Sequence, residues 1–204
     1  MVKIFSPSEA EYIAQATTLA EQRTSAEIVT VVIPKSDRYI SEMMFYGFIL
    51  GSVIAFVLWE IKGLTNFPVI FLIQLLCMLI LPLMPGIYKV FLYFLPKKLL
   101  FHRASHLGAE ELLAIMQKVP PQTPVVLLFI SLAEHYIHLF TNPVVKNGIE
   151  DKHWDELINR FTVKLKVQTL TQTCSESIAE IADILEPVFP DDAGKNWYVE
   201  TTAK

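Results

Sequence analysis

Glycine is scarce in this chain, with 7 in 204 residues, and none is grouped into a loop that could cradle a phosphate, so a Walker-type or dinucleotide-binding turn is excluded. Cysteine is scarcer, at 2. Cys77 lies inside an apolar run and Cys174 in the C-terminal region, so there is no disulfide logic, and both are expected as reduced thiols in a reducing compartment. Cationic side chains are not in excess: 17 Lys and Arg stand against 21 Asp and Glu, a net charge of −4. That balance excludes a broad basic surface for nucleic acid. No Cys-x-x-Cys spacing is present, no Glu-x-x-His pattern accompanies His102 and His106, Ser105 and Ser131 stand outside any nucleophile elbow, and Cys174 has no neighbouring base or cation. The opening Met1-Val2-Lys3, followed by a polar segment, is expected to carry neither a cleavable signal nor a myristoylation glycine.

What the chain does have is apolar length. Hydrophobic residues make up 52% of it and the mean hydropathy is +0.41, an excess concentrated in two runs at residues 43–59 and 67–88, separated by a polar break. The first run holds no ionisable residue and as a helix reaches about 25 Å, slightly short of a bilayer core. Gly47, Gly51 and Ala55 recur at helical spacing, offering a close-packing face to the second run. That second run has Gln74 as its one strongly polar member, expected to bond across to the first, and Pro82 and Pro85 should bend or end it. Residues 90–96 are too few for another span and are read as interfacial, with Tyr88 and Tyr93 at headgroup depth. Lys35 and Arg38 precede the pair, Lys89, Lys97, Lys98 and Arg103 follow it, and Lys62 alone lies between. By the positive-inside rule the loop is outside and both termini are cytoplasmic, in a plasma membrane, inner membrane or equivalent.

The flanking segments read as one split α/β domain, residues 1–40 with 99–190, around a transmembrane hairpin plus interfacial segment at 41–98; residues 191–204 form a polar tail. Ser6-Pro7-Ser8-Glu9 is a capping box opening a helix with Ile13, Ala16, Leu19 and Ala20 on its apolar face. The β-branched run from Glu27 to Pro34 suits a strand buried on both sides. A helix over 97–118, with Ala109, Leu112, Leu113 and Met116 as its clearest face, stops at Pro120-Pro121 and leads to a second such strand at 125–131. Strand, helical crossover and strand make a βαβ-like unit, and 136–140 should return antiparallel to the second strand. Asp151 is expected to cap a helix bearing Trp154, Leu157, Ile158, Phe161 and Leu165. Ser177-x-x-Glu180 should open another, with Ile178, Ile181, Ala182 and Leu185 inward and Pro187 and Pro190 ending it.

Candidate chemistry gathers where open sheets bind ligands, beyond the carboxyl ends of parallel strands. There the sequence places Asp37, Glu134 and His135, with Asn142 on the returning side. Such a set could hold a weak Ca²⁺ or Mg²⁺ or support acid–base chemistry, yet the same residue types are ordinary turn formers on a solvated edge, which is the simpler reading. His102 and His106, four apart on a helix, could chelate a metal, but only Glu110 follows on that face, so a plain helix surface is the better account. His138 and His153 need no explanation beyond a strand face and a helix start.

Several strings together resemble a known family: Thr24-Ser-Ala-Glu-Ile-Val-Thr-Val-Val, Ser36-Asp-Arg-Tyr, a two-helix hairpin, Phe101-His-Arg-Ala-Ser-His, Val126-Leu-Leu-Phe-Ile-Ser-Leu-Ala-Glu134, Trp154 and Val188-Phe-Pro190. The pattern resembles the membrane-bound branch of the TPM domain family, also called the TLP18.3/Psb32/MOLO-1 domain, from about Ser6 to Pro190. The resemblance implies a small mixed β-sheet flanked by helices, here interrupted by the transmembrane hairpin. It also implies the family's range of roles: photosystem repair, auxiliary action beside membrane receptors and, in some members, divalent-cation binding with weak phosphatase activity. The chain departs from the pattern at Thr141-Asn142-Pro143-Val144, where relatives often have an aspartate and glycine, at Pro124, and at Thr173-Cys174-Ser175. These features point to a non-enzymatic accessory module for a membrane protein or assembly, with the lipid bilayer as its other partner. The alternative is a weak, divalent-cation-assisted phosphatase-like hydrolase using the strand-end carboxylates.

Overall fold

A computed structural model describes residues 5–63, 66–84, 86–191 and 202–203. The chain divides into two compact units, Met1–Ser36 with Phe101–Lys204, and Asp37–Leu100.

The first unit is built on two strands, β1 (Glu27–Ile33) and β2 (Val125–Ser131), paired parallel from Glu27↔Val125 to Ile33↔Ser131. Every residue of both strands is buried, which explains their unbroken apolar runs. β3 (Tyr136–Thr141) returns antiparallel along β2 after a turn in which His135 adopts φ +51. A two-residue strand, β4 (Thr202–Ala203), lies parallel to β1 beside Val31 and Val32, giving the order β3-β2-β1-β4. That pairing departs from the expected free tail, most of which lies outside the described residues.

Alternate strand residues feed two cores, because successive side chains leave opposite faces of a sheet. Ile28, Val32, Val126, Leu128, Ile130 and Leu139 meet α1 (Pro7–Glu21), α7 (Asp151–Lys164) and α8 (Leu170–Leu185). Val29, Val31, Ile33, Leu127 and Phe129 meet Ala104, Ile115 and Val119, of which the first two belong to α5 (Lys97–Met116). The capping box at Ser6 and Glu9 forms as expected, with Ser6 N–H donating to Glu9 Oε2 at 2.8 Å.

Helix faces and starts differ from the sequence expectation in instructive ways. On α1 the buried positions are Ile13, Ala20 and Glu21, and Leu19 points outward. On α5 the inward stripe is Ala104, Leu107, Leu112 and Ile115, while Ala109 and Leu113 are exposed. Gly108 explains that choice: a Cβ there would stand 2.6 Å from Phe140 Cζ, so this side alone can reach the sheet closely. α8 starts seven residues before the expected Ser177, because the Thr169 side chain accepts the N–H of Gln172 at 3.3 Å and caps it there. Asp151 is the first helical residue of α7 and Glu150 its cap position, with no side-chain cap bond. A short helix, α6 (Pro143–Gly148), follows β3 where no helix was anticipated.

The second unit holds α2 (Ile40–Lys62) and α3 (Phe67–Ile80), followed by a 3₁₀ turn, Leu81–Leu83, and α4 (Ile87–Leu92). The α-helix of the second apolar run ends at Ile80, with Pro82 in the tighter turn that follows, as expected of that proline. Pro85 and the side chain of Tyr88 lie outside the described residues. α2 and α3 pack antiparallel through the expected small-residue face. A Cβ on Gly47 would lie 2.6 Å from the Cys77 carbonyl oxygen, and one on Gly51 would lie 2.7 Å from Gln74 Cα. Gln74 Nε2 donates to Ser52 Oγ at 3.0 Å, the cross-helix bond its isolation suggested. Phe91 and Leu95 are buried with Tyr39, Met43 and Leu100, so only part of segment 90–96 is free to face outward.

Gly51→Val should force α2 and α3 apart and cost about 1–3 kcal/mol, read from chemical unfolding in detergent, whereas Ile54→Val on the exposed side of α2 should cost well under 1 kcal/mol.

Candidate functional site

The carboxyl ends of β1 and β2 are joined beyond the strands themselves. Leu132 N–H donates to the Ile33 carbonyl and Ala133 N–H to that of Pro34, both at 3.0 Å. Glu134 then turns back into this junction. Its Oε1 accepts from Ser36 N–H at 3.0 Å and Ser36 Oγ–H at 2.8 Å, and its Oε2 accepts from Ser131 Oγ–H. With the residue only 3% exposed, this carboxylate ties the loop after β1 to the last residue of β2. Charge-assisted bonds of this kind are the stronger class, and they direct the oxygens at the protein's own donors.

Of the residues expected with Glu134, Asn142 lies at the other end of the sheet. His135 is the chain neighbour of Glu134, in the left-handed turn. Asn142 is at the far end of β3, about 20 Å along the strand from Glu134 at ~3.4 Å per residue. The reason is the antiparallel pairing, which returns the chain to the start of β2: Asn142 N–H donates to the Val125 carbonyl at 3.1 Å. There its side chain is a buried connector. Oδ1 accepts from Val125 N–H and Val145 N–H, both at 3.2 Å, and Nδ2 donates to the Thr123 carbonyl at 2.8 Å. Asn142 thus caps α6 and steadies the entry to β2, and it belongs to a different end of the sheet from Glu134. Asp37 begins the second unit, and its Oδ1 accepts from Arg38 N–H at 2.6 Å.

His106 Nδ1 lies 3.3 Å from Glu110 Oε1 on the exposed side of α5, and among the described residues no group of three metal-ligating side chains converges. Burial pushes the Cys174 thiol up to about 12, which keeps it protonated and unreactive. Desolvation lowers the His138 pKa, against the smaller opposing pull of Asp155 and Asp151, so its ring stays neutral beside Tyr136 and Phe140.

Sequence reasoning missed a buried carboxyl pair at the amino end of β1. Glu21 closes α1 and Glu27 opens β1, and both are almost fully buried. Glu21 Oε1 accepts from Ile28 N–H at 3.2 Å, and its pKa is raised to about 8, first by burial, then by the adjacent Glu27. Glu21 therefore carries the proton in its bond to Glu27. The available signal was positional: Glu21 stands eight residues after Ile13, on the inward stripe of an amphipathic helix.

The chain matches no protein-family model and no curated protein. Among solved structures it is similar to the NMR structure of BA42 protein from the psychrophilic bacterium Bizionia argentinensis, at 11% identity and a TM-score of 0.56, covering 100% of this chain and 92% of that one. The likeness shows a shared fold.

Two outcomes follow. Glu134→Ala should cost about 2–3 kcal/mol, since the Ser36 and Ser131 donors lose a charged acceptor in a buried setting; denaturant unfolding in detergent measures it. Glu21 holds a proton in the folded chain that it releases near pH 4.5 when unfolded, so stability should fall as pH rises from about 4.5 to about 8 and level off above. Glu21→Gln should flatten that part of the profile in thermal unfolding scans.

Proposed function

We propose that this chain is a membrane-anchored accessory protein, in which a TPM-like α/β unit engages another membrane protein or assembly and the α2–α3 hairpin holds it at the bilayer. The observation that carries the reading is the outside of that hairpin. α2 is long and apolar enough to cross a membrane, and it turns Gly47, Gly51 and Ala55 inward while Phe45, Phe48, Val53, Phe56 and Val57 stay exposed. α3 likewise exposes Phe67, Phe71, Leu72, Leu75, Leu76 and Leu79. In water such a surface is unstable, since apolar patches this extensive are covered by lipid or by protein. The helical stretch Phe67–Leu83 is shorter than α2, at about 25 Å still within the lower range for a span. The lysine and arginine bias around the pair supports a topology with both termini on the cytoplasmic side.

The accessory role is supported by what the α/β unit does with its polar groups. Glu134 and Asn142, the residues best suited to chemistry, bind the protein's own backbone and serines, and the Cys174 thiol is protonated. A unit organised in this way contributes surface.

The protein should resist alkaline carbonate extraction from membranes, and epitope tags at its two ends should be digested by protease from the same side of sealed vesicles. Crosslinking in native membranes should yield an adduct larger than the monomer. Tags protected from opposite sides would overturn the hairpin, and recovery of monomer alone would overturn the accessory role.

A further inference from the structure

No aspartate or glutamate stands between Glu60 and Glu110, and Lys62, Lys89, Lys97, Lys98 and Arg103 all fall in that interval. In a chain with a net charge of −4, this is a local reversal of sign. The second unit shows where part of that charge emerges. In α4 and the turn after it, Phe91 and Leu95 face the cluster of Tyr39, Met43 and Leu100. Leu92 packs against the same cluster, while three neighbours face the other way: Val90 is 60% exposed, Tyr93 91% and Phe94 68%. One residue after Leu95 and Pro96, α5 opens with Lys97 and Lys98, both exposed. Among the described residues neither ammonium has a carboxylate partner.

The strip therefore presents three apolar or aromatic groups and then two cations, with no acid to neutralise them. We propose that the surface of Val90, Tyr93, Phe94, Lys97 and Lys98 binds the headgroup layer of a leaflet rich in anionic lipid. This rests on the membrane-anchored reading above and adds to it the class of lipid selected. A leaflet answers both halves of the strip at once. Valine and the aromatic rings enter the boundary between headgroup and acyl chain, where the tyrosine hydroxyl keeps its contact with water, and the lysine stems reach up to phosphate oxygens. Net negative lipid supplies a counter-charge that the strip itself lacks. A zwitterionic leaflet would satisfy only the apolar half.

The full-length chain, reconstituted into phosphatidylcholine vesicles with traces of spin-labelled phosphatidylglycerol or spin-labelled phosphatidylcholine, tests this through the motionally restricted fraction of each label. Wild type should favour the anionic label by about fivefold or more, the effect of one or two lysines at a charged surface. Lys97→Gln with Lys98→Gln should bring the ratio close to one, and Lys97→Arg with Lys98→Arg should keep it. Both positions are exposed, so the variants should share the wild-type circular dichroism. Equal restriction of the two labels by wild type, or a preference that survives the double glutamine change, overturns the proposal. Carbonate extraction of the same vesicles separates the two readings. Retention without lipid preference sinks the lipid surface alone. Release after a lysine-dependent preference sinks the anchor alone and upholds the surface.

Discussion

The parallel pairing of β1 with β2 is the constraint from which the remaining architecture follows. Parallel neighbours cannot be joined by a tight turn, since the chain must travel back the length of the sheet before the second strand begins. Here that journey runs from residue 34 to residue 124 and contains the whole Asp37–Leu100 unit as well as α5. The register from Glu27↔Val125 to Ile33↔Ser131 means the apolar hairpin interrupts the domain without interrupting the sheet. Both strands are buried on both faces, so loss of their pairing would strip the two cores together.

Polar side chains at the strand ends complete what the pairing starts. Glu134 gathers donors from Ser36 and Ser131 at one end, and Asn142 gathers Val125, Val145 and Thr123 at the other. Each compensates buried backbone or hydroxyl groups that the ladder does not reach, and each such group would be costly if left without a partner. This is why residue types that suggest cation binding in the sequence serve cohesion in the fold. A carboxylate surrounded by the protein's own donors is already solvated by them, and a metal would have to displace those bonds.

Much of the fold was legible because its signals are local. The β-branched runs at Glu27–Ile33 and Val125–Ser131, the Ser6–Glu9 capping box, the small-residue face at Gly47, Gly51 and Ala55, and the inward set Ile178, Ile181, Ala182 and Leu185 all follow from periodicity or from a side chain's reach to a nearby backbone group. Where the reading went astray, a distant neighbour decided. Ala109 and Leu113 looked inward on α5 until Phe140 required the glycine side of that helix, and Leu19 looked inward on α1 although Ile13 and Ala20 suffice for the contact. Asn142 lies at the other end of the sheet from Glu134 for the same kind of reason: placing Asn142 needs the direction of β3, and placing Glu134 needs the loop from the other strand.

The amino-acid sequence by itself determined the composition of the elements: an uncharged stretch fit for lipid, two strands fit for a sheet interior, and helices with recognisable caps. Those properties depend on interactions among residues a few positions apart. Only the tertiary structure decided which carboxyls lose contact with water, that Glu21 keeps a proton beside Glu27, that Glu134 serves as a clamp, and which end of the sheet Asn142 occupies. Hydrogen-bond partnership is set by segments far apart in the chain, as for Ser36 and Glu134 across 98 residues, and helical periodicity can mark a position such as Glu21 as inward without telling which group it meets there.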